Sequence, residues 1–157
     1  MEKRLSRFGI GPRMILSSIV SLALATAVTY LWPDVCVLRW VPWNLALILG
    51  GLLLLLGIPM WIIAVISVMR AYNRDRLVTS GVFNCCRHPV YGAWIVFNLP
   101  AIAVLTRSWP FIFPPLVTYA VFKWLVREED EYLEKRFGAA YFDYRAKVNE
   151  VVPIPKF

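Results

Sequence analysis

The sequence predicts an all-α integral membrane protein with about four transmembrane helices, cytoplasmic N- and C-termini and a short amphipathic helical region near the C-terminus. Of its 157 residues, 59% are hydrophobic and 17% charged, whereas soluble domains have roughly 45–50% apolar and about 25% charged residues. Four long windows lack any formal charge, and most basic residues lie together outside them. The composition therefore excludes an ordinary water-soluble domain.

Each charge-free window accounts for one helix, because a bilayer-spanning helix takes roughly 20 apolar residues. The windows cover 14–33, 40–69, 88–106 and 108–122. We expect helices near 14–32, 44–69, 90–106 and 109–126. The second contains Gly50, Gly51 and Gly57, which permit close approach of a neighbouring helix. A tight turn at Ser108-Trp109-Pro110 is expected between the third and the fourth.

The basic residues predict the topology independently of hydropathy. Fifteen of the 17 Lys and Arg residues fall in the N-terminal arm, in the 70–89 loop and from residue 123 onward, which leaves Arg39 and Arg107 on the other side. Because basic loops accumulate in the cytoplasm, we expect both termini and the 70–89 loop there. The net charge of +7 then suits anionic membrane lipids as partners, and no nucleic-acid partner is expected.

The N-terminal segment has a second interpretation. Its basic arm, the apolar run from Met14 and the triplet Ala25-Thr26-Ala27 also resemble a signal peptide with a cleavage site. The apolar run continues through Val28 to Trp32, which is long enough to span a bilayer and ends at an aromatic residue suited to the interface. We therefore expect an uncleaved membrane helix.

The three cysteines do not predict a disulfide framework or a metal centre. Cys36 stands alone in the predicted outer loop, whereas Cys85 and Cys86 lie in a cytoplasmic loop, where thiols stay reduced. Cys85, Cys86 and His88 together offer three soft ligands for a metal ion. However, the sequence has no second Cys/His cluster and no other histidine, so no metal site is expected.

We treat residues 1–157 as one domain, with two anchoring or scaffold helices in 1–69 and the chemistry-bearing residues in 70–157. The segment 77–83 (LVTSGVF) is typical of a turn, in which Gly81 is free to adopt a positive φ. Pro89 then suits the first turn of a helix. The amides of that turn, with Arg87 and His88 beside them, predict an anion site. The alternative is a basic loop that contacts lipid phosphates.

An acidic run, 128–131 (EEDE), follows the fourth predicted span and contrasts with the basic character of that face. On a helix, Glu128 can share a side with Glu131 or Asp130, while Glu129 points elsewhere. A solvated face explains most of the run. A carboxylate held near Arg87 and His88 would instead bind a cationic or zwitterionic ligand.

These segments, in this order and spacing, resemble the isoprenylcysteine carboxyl methyltransferases and the related phospholipid N-methyltransferases. The resemblance rests on 77–83 (LVTSGVF), 87–91 (RHPVY), Glu128-Glu129, Phe137-Gly138, Tyr141 and Tyr144. It covers about half of the chain, residues 75–153, and the first two helices contribute only topology to it. Members of the family are integral membrane enzymes that transfer a methyl group from S-adenosylmethionine.

The resemblance implies S-adenosylmethionine as the cofactor, in a pocket at the cytosolic membrane face. Carried over position by position, it implies cofactor binding by Asp75, Arg76, Leu77, Val78, Phe83, Arg87, His88, Pro89, Val90, Tyr91 and Glu129. Arg, His and turn amides suit the carboxylate of the cofactor, Glu129 its positive groups, and Phe83 and Tyr91 its adenine. The eight glycines include no G-x-G-x-x-G, so a Rossmann-type site is not expected.

Two positions depart from the family pattern. Phe83 replaces the usual tyrosine. Members that methylate carboxylates have an arginine four residues before the position of Glu129, where this chain has Leu125. Arg127 or Lys123 can substitute from a neighbouring turn, and Lys147 occupies another position where a basic residue is common. Glu129 and Arg127 are therefore the catalytic candidates, and Arg127 and Lys147 are the substrate-binding candidates.

The leading functional prediction is an S-adenosylmethionine-dependent membrane methyltransferase for a lipidic or small acceptor, by carboxyl O-methylation of an isoprenylcysteine-like substrate. The alternative is a phosphatidylethanolamine-type N-methyltransferase, which needs a base because the amine must lose a proton. An alternative of another class, a non-catalytic membrane scaffold or binding protein, is favoured by the departure at Leu125. The expected location is integral and multi-pass, with the active site at the cytoplasmic face.

Overall fold

The computed structural model describes residues 9–74 and 76–153. Within these ranges the α-helices are α1 (Gly11–Leu31), α2 (Pro33–Cys36), α3 (Trp43–Arg74), α4 (Pro89–Gly92), α5 (Leu99–Thr106), α6 (Phe113–Phe137) and α7 (Ala139–Lys147). A π-helical segment, Ala93–Asn98, joins α4 to α5, and 3-10 turns lie at Gly81–Asn84 and Trp109–Ile112. The described part of the chain has no strands, only two isolated bridges, which confirms the all-α class.

Four stretches are long and apolar enough to cross a membrane, as the sequence predicted. They are Gly11–Leu31, Trp43–Tyr72, Pro89–Thr106 and Trp109–Phe137. The helices α3 and α6 run well past the predicted ends at 69 and 126, because a helix does not need to stop where charged residues begin. The C-terminal turns of these two helices carry several of the side chains that line the cavity described below.

The bundle pairs α1 with α6 and α3 with the run from α4 to α5. One buried apolar cluster joins the start of α1 to α6 and the π-helical segment: Ile10, Met14, Ile95, Phe122, Leu125, Val126 and Val151. A second joins α3, the turn at Gly81–Asn84 and α7: Ala64, Phe83, Tyr141, Tyr144 and Val148. The two clusters flank the cavity described below.

The outer surfaces of α1 and α3 are strongly apolar. Large side chains such as Ile15, Leu16, Leu52 and Leu55 are exposed. Contiguous apolar surface of this kind is unfavourable in water and favourable against lipid tails. The surface therefore agrees with four membrane-spanning segments.

A polar cap closes the end of the bundle where α1 meets α2 and α5 meets α6. Arg107 adopts a positive φ of 49° and ends α5, and its guanidinium donates to the carbonyl of Val41 at 2.9 Å and lies over the Trp43 ring. The hydroxyls of Thr29 and Ser108 are 2.8 Å apart. This geometry confirms the tight turn predicted at residues 108–110.

Two of the three glycines that the sequence singled out lie at close helix contacts. A Cβ at Gly50 would be 2.5 Å from the Leu105 side chain, and one at Gly57 would collide with Asn98. The expectation for Gly51 is wrong, since a Cβ there would meet nothing within 4 Å. Gly51 follows Gly50 by about 100° around the helix and faces away from α5.

Candidate functional site

A cavity of about 150 Å³ lies where the end of α3, the 76–88 connection, the end of α6 and α7 meet. Its wall includes seven side chains that the resemblance assigned to cofactor binding: Arg76, Leu77, Val78, Phe83, Arg87, His88 and Glu129. The other lining residues are Val68, Ala71, Tyr72, Tyr132, Leu133, Arg136, Phe137, Tyr141 and Tyr144. Segments far apart in the chain thus form a single concave surface.

Turn chemistry sets the shape of the 76–88 connection. Gly81 has a φ of +65°, which lets the chain reverse at little cost and enter the 3-10 turn that buries Phe83. The hydroxyl of Tyr144 donates to the carbonyl of Phe83 at 2.7 Å and so ties this turn to α7. Pro89 begins α4 and restrains the preceding residue, His88, to a non-helical φ of −121°.

His88 is buried at the centre of the polar groups, with 4% of its surface exposed. Its Nε2 lies 3.0 Å from Asp130 Oδ1, and its Nδ1 lies 3.7 Å from Glu129 Oε1. Burial alone would lower the pKa of His88, but the hydrogen bonds and charges of Asp130 and Glu129 outweigh it and raise the pKa to about 9. The imidazole is therefore positively charged at neutral pH.

Asp130 holds His88 in place from the side away from the cavity. The hydroxyl of Tyr141 donates to Asp130 Oδ1 at 2.5 Å. Burial and the neighbouring carboxylate raise the pKa of Tyr141, so its hydroxyl keeps the proton that it donates. Asp130, His88 and Tyr141 thus form a buried hydrogen-bonded group that links α6, α7 and the connection before α4.

Glu129 is the carboxylate that faces the cavity. Its side chain is 21% exposed, and the hydroxyl of Tyr91 donates to its Oε2 at 3.0 Å. The centroid of the Tyr91 ring lies 6.0 Å from that of the His88 ring, so Tyr91 lies next to both Glu129 and His88. One carboxylate oxygen is therefore held by Tyr91, while the other lies between His88 and the cavity.

Arg87 places a buried guanidinium in the same wall. Its Nη1 lies 3.7 Å from Asp130 Oδ2, and its Nη2 lies 3.5 Å from Glu150 Oε1. Its Nε and Nη1 make no hydrogen bond. Because an unpaired buried donor is costly, these two N–H groups, which point in different directions from the guanidinium, are each suited to a hydrogen bond with an anionic ligand such as a carboxylate.

A segment near the C-terminus, residues 149–151, closes the back of the site. The amide of Arg87 donates to the carbonyl of Asn149 at 2.8 Å, and the amide of His88 donates to that of Glu150 at 3.0 Å. Lys123 donates to Glu150 Oε2 at 2.6 Å. The predicted anion site concerns the first turn of the helix that begins at Pro89. The amides of Arg87 and His88, which precede this turn, are already paired with the carbonyls of residues 149 and 150, so only the side chains of these two residues can add to such a site.

Several predicted site residues lie outside the cavity wall. Tyr91 contacts the cavity only through Glu129, to which its hydroxyl donates. Pro89 and Val90 lie in the first turn of α4, where Val90 packs against the second apolar cluster. Arg127 and Lys147 are exposed and do not line the cavity. Asp75 lies outside the described residues.

The acidic run divides as predicted for Glu128 and Glu131, which are both exposed, but not for Asp130. Glu128 is exposed and pairs with Arg13 at 3.2 Å, whereas Asp130 is buried against His88. Residues two apart on a helix differ by about 200°, so Glu128 and Asp130 do not share a side. Glu129 and Asp130 instead approach the two nitrogens of one imidazole.

Sequence reasoning missed most of the aromatic wall, although helical spacing marks it. Glu129, Tyr132, Leu133, Arg136 and Phe137 line the cavity at spacings of three and four residues, as expected for one face of α6. Val68, Ala71 and Tyr72 repeat the pattern at the end of α3. Extending the face from Glu129 along α6 would have identified these residues.

Leu125, which replaces the family arginine, does not face the cavity. It is 6% exposed and belongs to the apolar cluster with Ile10 and Met14 of the N-terminal segment. Lys123, considered as a substitute, pairs with Glu150, and Glu150 in turn contacts Arg87. Glu150 therefore connects Lys123 to Arg87 through two ion pairs.

The cysteines lie outside the cavity wall. Cys85 is exposed and Cys86 is buried, and burial raises the pKa of Cys86 to about 12, so that its thiol stays protonated. Across the described residues, no group of three His, Cys, Asp or Glu side chains is arranged to hold a metal ion. The charged or titrating side chains of the cavity wall, besides tyrosines, are Arg76, Arg87, His88, Glu129 and Arg136.

Comparison with known proteins identifies related sequences. Residues 44–135 match the model of the isoprenylcysteine carboxyl methyltransferase (ICMT) family. A protein-S-isoprenylcysteine O-methyltransferase from Xenopus laevis is 25% identical over 150 residues, which cover 90% of this chain and 50% of the relative. No solved structure matches.

Enzymes of the same printed name from Mus musculus and Dictyostelium discoideum match shorter segments. The first is 32% identical over 51% of this chain and 28% of the relative. The second is 30% identical over 49% of this chain and 32% of the relative. This chain thus spans no more than about half the length of these three relatives.

Proposed function

Because this chain belongs to the isoprenylcysteine carboxyl methyltransferase family, we propose that it is an S-adenosylmethionine-dependent membrane methyltransferase that esterifies the carboxylate of an isoprenylcysteine-like acceptor. The observation that carries the proposal is the pair of opposite charges in one cavity wall. Arg87 offers unpaired buried donors, and Glu129 offers a carboxylate. The carboxylate and ammonium of a zwitterionic amino acid group complement the charges of Arg87 and Glu129 respectively.

The residues present fit the cofactor in chemical type. The Arg87 guanidinium suits its carboxylate, and Glu129 suits its ammonium or sulfonium charge. Tyr132, Phe137 and Phe83 supply aromatic surface for the adenine and for a cation. When bound, S-adenosylmethionine supplies a methyl group that is already activated on a sulfonium sulfur.

The charge of His88 favours a carboxylate over an amine as acceptor. An amine must lose a proton to a base before or during attack. With its pKa raised to about 9, His88 already holds its proton at neutral pH and cannot serve as that base. A carboxylate acceptor needs only alignment, exclusion of water and a cationic clamp.

The clamp for the acceptor belongs to the cations of the cavity wall. Arg76 and Arg136 both line it, and the Arg136 guanidinium lies over the rings of Tyr132 and Phe137. We assign the acceptor carboxylate to these two arginines rather than to Arg127 and Lys147, which are exposed outside the wall. The apolar chain of a prenylated acceptor can then extend toward the lipid-facing helices.

One experiment tests donor and acceptor together. The purified protein is incubated with methyl-labelled S-adenosylmethionine and an S-farnesylated cysteine derivative with a free carboxylate, and the product is then treated with alkali. A carboxyl methyl ester releases labelled methanol, which is the expected result. The same acceptor with its carboxylate converted to an amide should take up no label.

Other outcomes contradict the proposal in distinct ways. Alkali-stable label in phosphatidylethanolamine identifies the N-methyltransferase alternative, and binding of the cofactor without transfer to any acceptor identifies a non-catalytic binding protein. Glu129→Gln should abolish transfer. Its control, Glu131→Gln, changes an exposed carboxylate of the same helix and should leave transfer within about twofold of the unmodified rate.

A further inference from the structure

The chain approaches Glu129 very closely just before α1 begins. Gly9 has a φ of +51°, and a Cβ built on it would lie 2.8 Å from Glu129 Oε2 and 3.2 Å from the Tyr91 hydroxyl. Real Cβ atoms do not approach an oxygen that closely without displacement. The side chain that Gly9 lacks would therefore occupy the space of the Glu129 carboxylate.

Packing on the C-terminal side of Gly9 fixes this approach. Ile10 is 2% exposed and joins Met14, Phe122 and Leu125 in a buried cluster. Arg13, one turn later, pairs with Glu128, the neighbour of Glu129. The backbone at Gly9 is therefore anchored to α6 and cannot easily withdraw from the carboxylate.

Glu129 is confined from three directions. Tyr91 donates to its Oε2, His88 Nδ1 lies 3.7 Å from its Oε1, and Gly9 bounds the side next to Tyr91. The remaining direction opens into the cavity. The carboxylate thus has one position in which it can accept from Tyr91 and still face a ligand.

We propose that Gly9 is a positioning residue of the cofactor site, whose missing side chain lets the backbone at Gly9 hold the Glu129 carboxylate against Tyr91 and toward the ligand. This inference rests on the proposed function. It gives the two residues directly before α1, Gly9 and Ile10, a part in binding.

The substitution Gly9→Ala separates positioning from folding. The closest atom that the new methyl would meet is at the end of the flexible Glu129 side chain, so the carboxylate can move aside while the apolar anchor at Ile10 remains. Such a displacement weakens a charge-assisted hydrogen bond. We expect affinity for S-adenosylmethionine to fall by about tenfold to a hundredfold.

Two glycines provide matched controls. Gly138 has a φ of +52°, and Gly11 lies two residues from Gly9; a Cβ at either position would meet nothing within 4 Å. Gly138→Ala places a side chain at a positive φ without a clash, and Gly11→Ala places one near Gly9 without a clash. Both should retain the cofactor affinity of the unmodified protein, even where Gly138→Ala lowers the melting temperature.

His88 provides a readout that does not require the cofactor. It is the only histidine in the sequence, so selective isotope labelling gives a single titrating imidazole signal. Because the Glu129 carboxylate helps to raise the pKa of His88, displacing it in Gly9→Ala should lower that pKa. In Gly11→Ala and Gly138→Ala the pKa should be unchanged.

The two readouts keep the proposals distinguishable. If the unmodified protein does not bind S-adenosylmethionine, the proposed function fails, while the His88 titration still tests the position of Glu129. If Gly9→Ala leaves both the affinity and the His88 pKa as they are in Gly11→Ala, the positioning role is overturned.

Discussion

Arg87 shows how one residue can contribute little to the fold and much to recognition. Its side chain is buried, its two carboxylate neighbours lie at 3.5 Å and 3.7 Å, and its Nε and Nη1 donate no hydrogen bond. Half-satisfied buried charges do not stabilise a protein efficiently. An anion that accepts hydrogen bonds from the Nε and Nη1 groups would offset the free-energy cost of burying them unpaired.

Replacing Arg87 should therefore damage binding. Arg87→Lys keeps the charge but removes the planar guanidinium and its Nε–H donor, and we expect about a tenfold or larger loss of S-adenosylmethionine affinity in equilibrium dialysis. Arg127→Lys is the control, since Arg127 is exposed outside the cavity wall. A larger loss in Arg127→Lys would restore the catalytic role that the family resemblance suggested for Arg127.

The charge on His88 also predicts a pH dependence of stability. Its pKa is raised to about 9 from 6.5, so its protonation stabilises the fold fully below pH 6.5, and the contribution is lost as the pH rises through 9. His88→Gln lacks this contribution. We expect the stability difference between the unmodified protein and His88→Gln to shrink over this range in thermal unfolding, and parallel profiles would contradict the assignment.

Among the helices, α6 contributes the most side chains to the cavity wall. Its first half lies in the membrane, and its last turns present Glu129, Tyr132 and Arg136 to the cavity. Hydropathy alone set its predicted end at residue 126, because charged residues begin there. The apolar stripe of Tyr132, Leu133 and Phe137, with Gly138 after it, predicts that the helix continues to Phe137, and the structure confirms this. The stripe does not by itself predict that these side chains enclose a cavity.

The contact between α4 and the 149–151 segment gives a second test. A Cβ at Gly92 would lie 2.6 Å from the backbone carbonyl oxygen of Val151, and a backbone atom cannot rotate aside. Gly92→Ala should therefore destabilise the protein by about 1–3 kcal/mol and weaken cofactor binding. Gly51→Ala, on a membrane helix where nothing lies within 4 Å, should leave the melting temperature unchanged or slightly raised.

At the scale of the whole molecule, the sequence predicted what depends on local pattern. The four spans and the turn at 108–110 follow from apolar length and turn residues. The family resemblance supplied Arg87, His88 and Glu129. The burial of Asp130, the amide contacts of 149–151 and the approach of Gly9 depend on segments far apart in the chain, and no local pattern encodes them.

The orientation of the bundle can be tested with a native side chain. Cys85 is exposed beside the cavity end, whereas Cys36 and Cys86 are buried. The excess of basic residues predicts that Cys85 faces the cytoplasm. A membrane-impermeant maleimide should label it only after cells are permeabilised, and Cys85→Ser should remove that signal. Labelling in intact cells would contradict the cytoplasmic orientation.

The backbone contact between residues 87–88 and 149–150 has a consequence for synthesis. Asn149 and Glu150 follow every membrane helix in chain order, yet their carbonyls accept the amides of Arg87 and His88. A translation product that stops before residue 149 would therefore keep all four apolar helices and lack the two carbonyls that hold the amides of Arg87 and His88. We expect such a product to insert into the bilayer without the native geometry of the cavity wall at Arg87 and His88.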